Sequence, residues 1–285
     1  MPIDPQLRSL KIDIPAQPEA LVKLSLMISD ENANLQAIGA LIGGDMALAS
    51  AVLETVNSAL YGLSGRVRTV QQAITYLGVR EIASVTFAKG LRAVFPQAPE
   101  LEPLWQRASV RAMLMGRIGQ VIKVDHWAAH SAGLFEECGK AVLFRHSTGR
   151  YRALLRSAEN DEELLLLEQQ EFGVGHDALG AALCETWGLA AAAVNCVRYH
   201  VIVHATRQLP AHTPAQIAGR DICVLSALAN ALMTDPDKLE EVAHAVASQA
   251  ELDPEFVLRS AIGVKAHIES VMERREVAGR ERRQS

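Results

Sequence analysis

The chain has 285 residues, 49% of them hydrophobic and 21% charged, which excludes disorder and allows a buried core without metal or disulfide staples. A formal net charge of -5 argues against the basic face on which nucleic-acid binding depends. No apolar run nears the ~20 residues of a membrane span.

Aromatic residues make up only 5% of the chain, while Ala and Leu abound. Such a composition favours helix packed on helix, and the expected class is all-α. The N-terminal stretch MPIDPQLRSLKIDIP lacks a signal-peptide core, so the expected location is cytoplasmic. Cys138, Cys184, Cys196 and Cys223 stand far apart, as expected for reduced, buried thiols.

Taken in order, the first predicted helix opens at Gln17-Pro18 with Leu21, Leu24 and Ile28 on one face. Asn34 caps the second, with Leu35, Ile38 and Leu41 or Ile42 as its stripe, and Gly43-Gly44 stops it. Asp45 caps the third, where Leu48, Val52, Val56 and Leu60 recur at spacing four up to Tyr61-Gly62. Thr69 and Gln72 form a capping box for a short helix ending at Gly78. Another helix runs to the Pro96–Pro99 break, where a lobe boundary is expected.

Longer helices are predicted over 102–124, 126–137, 161–171, 176–187 and 190–204. Thr213-Pro214, Asp235-Pro236 and Asp253-Pro254 each pair a capping residue with a proline suited to a first helical position. No period-2 strand and no fixed repeat is found. From Glu273 to Ser285 five arginines face three glutamates, read as a solvated helix end.

The usual catalytic signatures are missing: GxSxG, the P-loop lysine motif, HExxH, and GxGxxG followed by an acidic residue. His126 and His130 have the i,i+4 spacing of a ligand pair, but no acidic third ligand stands at a telling distance. The segment Ala132-Gly133-Leu134-Phe135-Glu136-Glu137-Cys138-Gly139-Lys140-Ala141-Val142-Leu143 is more telling. It resembles the AGLLHDIGKLVL segment of HD-type phosphohydrolases, with Glu136-Glu137 where the metal-binding His-Asp pair stands.

Asp45, Leu48, Val56-Asn57-Ser58-Ala59-Leu60-Tyr61-Gly62, Gln72-Ala73-Ile74 and Leu77-Gly78 resemble the blocks of the HDOD family, a relative of the HD enzymes. Trp105, Glu171-Phe172-Gly173-Val174-Gly175-His176, Gly180-Ala181, Trp187 and Tyr199-His200 continue the likeness, which covers roughly Ile14 to His204. The chain departs from the family at Met46, where a proline is usual. It departs from active relatives at Arg107, Glu136, Glu137 and Val201, while His176 and His200 keep their imidazoles. Asp221 is a further candidate remnant.

The resemblance implies a two-lobed, all-α HDOD fold: an N-terminal lobe over 1–98, a degenerate HD-like lobe over 99–272, and a charged tail over 273–285. It implies no enzyme, no catalytic residue, no metal and no cofactor, with Arg107, Glu136, Glu137, His176 and His200 lining a vestigial pocket. An Arg107–Glu136 pair is expected to fill it, because adjacent helical residues point about 100° apart and only one glutamate can face it. Asn57, Ser58, Tyr61 and Gln72 are motif residues, expected to pin the turn after their helix or to meet a partner.

The expected function is bacterial signal transduction through contacts with another signalling protein, with cyclic di-GMP, motility and stress networks as the family setting. The docking surface is expected on the helical lobes and the groove between them, with Asn57 and Tyr61 facing outward; neither nucleic acid nor membrane is an expected partner. Two alternatives stay open: a residual metal-dependent cyclic-dinucleotide phosphohydrolase, and a sensor holding a nucleotide or anion in the vestigial pocket.

Overall fold

A computed structural model describes residues 12–28, 34–58, 61 and 66–284, with side chains described through residue 270. Ala59, Leu60 and Gly62 of the motif, the first eleven residues and the side chains of the arginine-rich end lie outside the described residues. Every regular element among the described residues is helical. The chain divides into two units, one holding 12–16 and 95–265, the other holding 17–94 and 266 onward.

The smaller unit comprises α1 (Glu19–Ile28), α2 (Leu35–Gly44), α3 (Met46–Val56), α4 (Val70–Leu77) and α5 (Val79–Ala93). Leu21, Leu24, Ile38, Ile42, Val52, Val56, Ile74, Ile82 and Leu91 form its core. The Asn34 and Asp45 side chains accept from the first free N–H groups of α2 and α3, as a capping residue should. Thr69 Oγ1 likewise accepts from Gln72 N. Only half of the predicted box closes, since Gln72 Oε1 takes the N–H of Arg68 rather than that of Thr69. Gly78 turns the chain between α4 and α5 at φ +85°, where a side chain would be strained. Leu35, expected in the apolar stripe, is exposed, while α2 ends at Gly44, within the predicted glycine stop.

The larger unit begins with a 3-10 turn at Pro99–Leu101 and α6 (Glu102–Ile122). It continues with α7 (His126–Phe135), α8 (Cys138–His146), α9 (Thr148–Ser157), α10 (Asp161–Phe172), α11 (His176–Thr186), α12 (Ala191–Thr206) and α13 (Pro214–Ala218). The last helices are α14 (Arg220–Thr234), α15 (Leu239–Ala247) and the start of α16 (Pro254–Gln284), whose residues from 266 onward belong to the smaller unit and whose backbone runs unbroken into the arginine-rich segment. Residues 12–16, expected with the first lobe, run with this unit, where Trp187 Nε1 donates to Pro15 O at 2.9 Å.

α14 forms the centre of this unit, with Ile222, Cys223, Val224, Leu225, Leu228 and Ala229 buried in succession. A helix buried all round has no polar face and therefore no amphipathic period. That is why α14 and the equally buried Cys138–Phe144 of α8 escape a reading by periodicity. The Thr213 cap box does form, but Gly219 ends α13 after five residues. Asp235-Pro236 opens a 3-10 turn, and α15 starts only at Leu239. No single described helix is long and apolar enough to cross a membrane; the pair α2–α3 passes by length and composition together, bent by 111°.

Candidate functional site

Arg107 and Arg111 are four apart on α6 and so share one face. That face meets the break between α7 and α8, where Glu136 and Glu137 stand. Continuous helix would turn the two carboxylates apart, but the chain leaves helical geometry at Glu137, with φ -95° and ψ 1°. Both long side chains consequently reach Arg111. Its Nη1 donates to Glu137 Oε1 at 2.8 Å, and its Nε lies 3.0 Å from Glu136 Oε2 as an ion pair not aligned for a hydrogen bond.

The expected Arg107–Glu136 pair is thus replaced. Arg107 grips Glu137 in bidentate fashion, Nε to Oε1 at 3.0 Å and Nη2 to Oε2 at 2.5 Å. Arg111 is the residue that joins both glutamates. Lys140, one turn into α8, adds its ammonium 3.5 Å from Glu137 Oε2 and donates to Asp161 Oδ1 at 2.6 Å. Arg111, Glu136, Glu137 and Lys140 are all buried, whereas the Arg107 side chain is 46% exposed.

Such burial demands pairing, because an isolated charge cannot be held in a low-dielectric interior. The two glutamates respond in opposite directions. Burial pushes the Glu136 carboxyl up, only partly offset by Arg111. Burial acts on Glu137 too, but Lys140, Arg107 and Arg111 outweigh it and hold that carboxyl well below the ordinary range. For Asp161 the same contest, with Lys140 as the main opposing charge, ends at about 2.

Beside these ion pairs lies a set of imidazoles. Glu168 of α10, fully buried, accepts from Tyr151 Oη at 2.5 Å through Oε1. Its Oε2 takes both the backbone N and the ring Nδ1 of His176, each at 2.7 Å. His200 Nδ1 is 2.7 Å from Val197 O. The His176 and His200 rings lie 5.4 Å apart, and His204 lies 5.7 Å beyond His200. Burial, followed by the neighbouring His176 and His204, keeps His200 well below the usual histidine range. His204, 2.8 Å from Ser226 Oγ, is pushed down to about 3 by burial and by Arg111.

The five pocket residues named from sequence therefore lie in one connected region, all but Arg107 buried, tied together by Lys140 and Asp161. Arg111, Lys140, Asp161 and Glu168 were missed. Arg111 was legible as the i+4 neighbour of Arg107, and Glu168 as the i+7 neighbour of Asp161 on one helix face. A hydrolytic metal at the His-Asp position does not fit these residues, because the Arg111 guanidinium stands between the carboxylates that would have to hold it. Asp221 Oδ1 is taken by Ile222 N at 2.8 Å. His126 and His130 belong to no converging group of three ligands among the described residues.

Asn57 and Ser58 of the smaller unit spend their side chains on the backbone around the end of α3. Asn57 Nδ2 donates to Leu53 O at 2.9 Å and Val67 O at 2.8 Å, and its Oδ1 accepts from Val67 N at 3.3 Å. Ser58 Oγ donates to Thr55 O at 2.6 Å. Tyr61, expected to face outward, is buried. The expectation of an interaction face at Asn57 and Tyr61 is corrected accordingly: a segment leaving a helix end must have its backbone groups satisfied, and Asn57 is spent on that.

Comparison with known proteins gives a consistent picture. A family model described as the HDOD domain matches residues 14–203. An uncharacterised protein of Treponema pallidum (strain Nichols) is 28% identical over 196 residues, 66% of this chain but only 37% of that protein's length. An HDOD domain protein with unknown function from Geobacter sulfurreducens superposes with a TM-score of 0.68 at 16% identity, covering 94% of this chain and 95% of that one. A protein from Marinobacter aquaeolei VT8 assigned provisionally to signal transduction gives 0.72 at 21% identity, over 95% and 64% of the respective chains. One from Shewanella amazonensis SB2B, assigned provisionally as a phosphohydrolase, gives 0.66 at 15% identity, over 95% and 97%. At these identities the structural likeness is one of fold.

Proposed function

The chain belongs to the HDOD domain family, and from that premise we propose that it is a non-catalytic signalling protein that works by contacting another protein. One observation carries the reading: Arg111 sits between Glu136 and Glu137, where a hydrolase of this fold needs a dication and an activated water. A guanidinium offers neither an open coordination position nor a Lewis acid. With Arg107 and Arg111 both committed to carboxylates, the cluster offers a nucleotide or anion no free cation, so the ion pairs argue against both alternatives raised by the sequence.

A helical scaffold without turnover offers its faces to partners. Leu166, Ile202 and Ile217 are large apolar side chains exposed on the larger unit and are the first positions to substitute. The family resemblance is the support for proposing cyclic di-GMP, motility or stress control as its setting.

The reading is tested in two steps. Purified chain supplied with Mn2+ should leave cyclic di-GMP intact; turnover that disappears in His176→Ala would replace this reading with a hydrolase. Crosslinking in cells that express the chain should then trap a protein partner. Ile202→Glu or Leu166→Glu should abolish that crosslink while leaving the melting temperature nearly unchanged.

A further inference from the structure

The groups beside α8 balance one another in charge, but the imidazoles next to them have nothing to meet their free nitrogens. His176 Nε2 and His200 Nε2 are both buried, and neither has a hydrogen-bond partner. The opposite nitrogen of each ring is already committed. Val197 O can only accept, so His200 Nδ1 carries the proton and Nε2 keeps a lone pair. Glu168 Oε2 fixes the same tautomer on His176.

The Asp161 carboxylate closes the group: one ligand atom from each of Asp161, His176 and His200 lies within 4.8 Å of the others. Lys140 meets the Asp161 carboxylate from one side, but no donor among the described residues meets the two imidazole lone pairs, which call for a cation. Glu168 makes the same demand from behind. It is fully buried, and no Lys or Arg pairs with it among the described residues. A buried carboxylate backing an imidazole whose far nitrogen is free is the arrangement that orients a histidine toward a metal.

We propose that Asp161, His176 and His200 hold a divalent first-row transition ion through one carboxylate oxygen and two Nε2 atoms. Imidazole with carboxylate suits zinc, iron or cobalt rather than magnesium or calcium. Metal bonds of ~2.1 Å place tetrahedral ligand atoms ~3.4 Å apart, so the three side chains need close by no more than about 1.4 Å. The Asp161 side chain is 43% exposed, which gives an ion a route to two buried imidazoles. Lys140 already holds Asp161 Oδ1, leaving the second oxygen as ligand and making the ammonium a competitor that weakens binding. The site lies beside the position of the lost His-Asp pair and does not restore it, because Arg111 stays where it is. Binding is therefore independent of whether the chain docks on a partner.

The test is titration of the full chain with Co2+, followed by its visible absorption, with Zn2+ displacement read by calorimetry. One ion per chain is expected, with a dissociation constant of about 10 µM or tighter. Asp161→Asn, at the exposed edge, should weaken binding at least tenfold, and Glu168→Gln should weaken it about 10–100-fold. His200→Gln should abolish it, and His126→Ala should leave it unchanged. The proposal is overturned if wild-type chain takes up less than half an equivalent at 100 µM Co2+. It is equally overturned if Asp161→Asn binds like wild type, or if His126→Ala removes the signal. Should His200→Gln fail to fold, Asp161→Asn alone decides.

Discussion

A Cβ added to Gly139 would stand 1.8 Å from the carbonyl oxygen of His176. The start of α8 and the start of α11 touch backbone to backbone at this point, which brings Lys140 and His176 into one neighbourhood. No flexible side chain can yield there, so Gly139→Ala must push the helices apart. Urea denaturation of Gly139→Ala is expected to show a loss of at least ~3 kcal/mol. A loss below ~1 kcal/mol would mean that the contact is not held in solution.

Arg111 and Arg107 should differ sharply on truncation. Arg111→Met strands the buried Glu136 carboxylate and takes one of three cations from Glu137, at an expected cost of about 3–5 kcal/mol. Arg107→Met leaves Glu137 with Arg111 and Lys140, and its side chain is half in water, so about 1 kcal/mol is expected. Equal costs for the two variants, measured by thermal or urea unfolding, would contradict the assignment of Arg111 as the residue joining Glu136 to Glu137.

Glu137 gives the fold an acid limit. Its carboxyl is held well below the ordinary value of 4.5 by Lys140, Arg107 and Arg111 against the effect of burial. A depressed carboxyl contributes stability that is fully present above the unfolded value and is lost as the pH falls through the folded one. Stability should therefore decline from about pH 4.5 downward. Glu137→Gln should flatten that decline while lowering stability at neutral pH.

Asn57 is expected to behave as a structural residue. Asn57→Ala removes the two-way link to Val67 that ties the end of α3 to the chain before α4. A loss of about 1–3 kcal/mol in the melting transition is expected. Crosslinking to a partner, assayed below the melting range, should be unaffected.

Glycines, prolines and capping side chains marked the helices of the smaller unit directly in the sequence, because those residues act within one turn of their own position. Asn34 and Asp45 cap where they were expected to. α8 and α14 were hidden for the opposite reason: their environment is set by neighbours far away in sequence, and a uniformly buried helix carries no polar face to give it a period. The site divides in the same manner. His176, His200, Glu136, Glu137 and Arg107 were reached through family likeness, whereas Lys140 and Asp161 meet across 21 residues with no local signal. The break that turns both glutamates inward is a backbone event at Glu137 that residue spacing does not encode.

The cation between Glu136 and Glu137 is part of the polypeptide, and that changes what the junction of α6, α7 and α8 depends on. A dissociable ion leaves when its free concentration falls, and a scaffold that needs it loosens in a chelator. A guanidinium anchored four residues along α6 from Arg107 is delivered by the chain itself, at an effective concentration no buffer can lower. Prolonged dialysis against EDTA should strip any exchangeable ion from His176 and His200 yet leave these three helices docked. The core of the larger unit is thereby indifferent to metal starvation, even while its imidazoles respond to it.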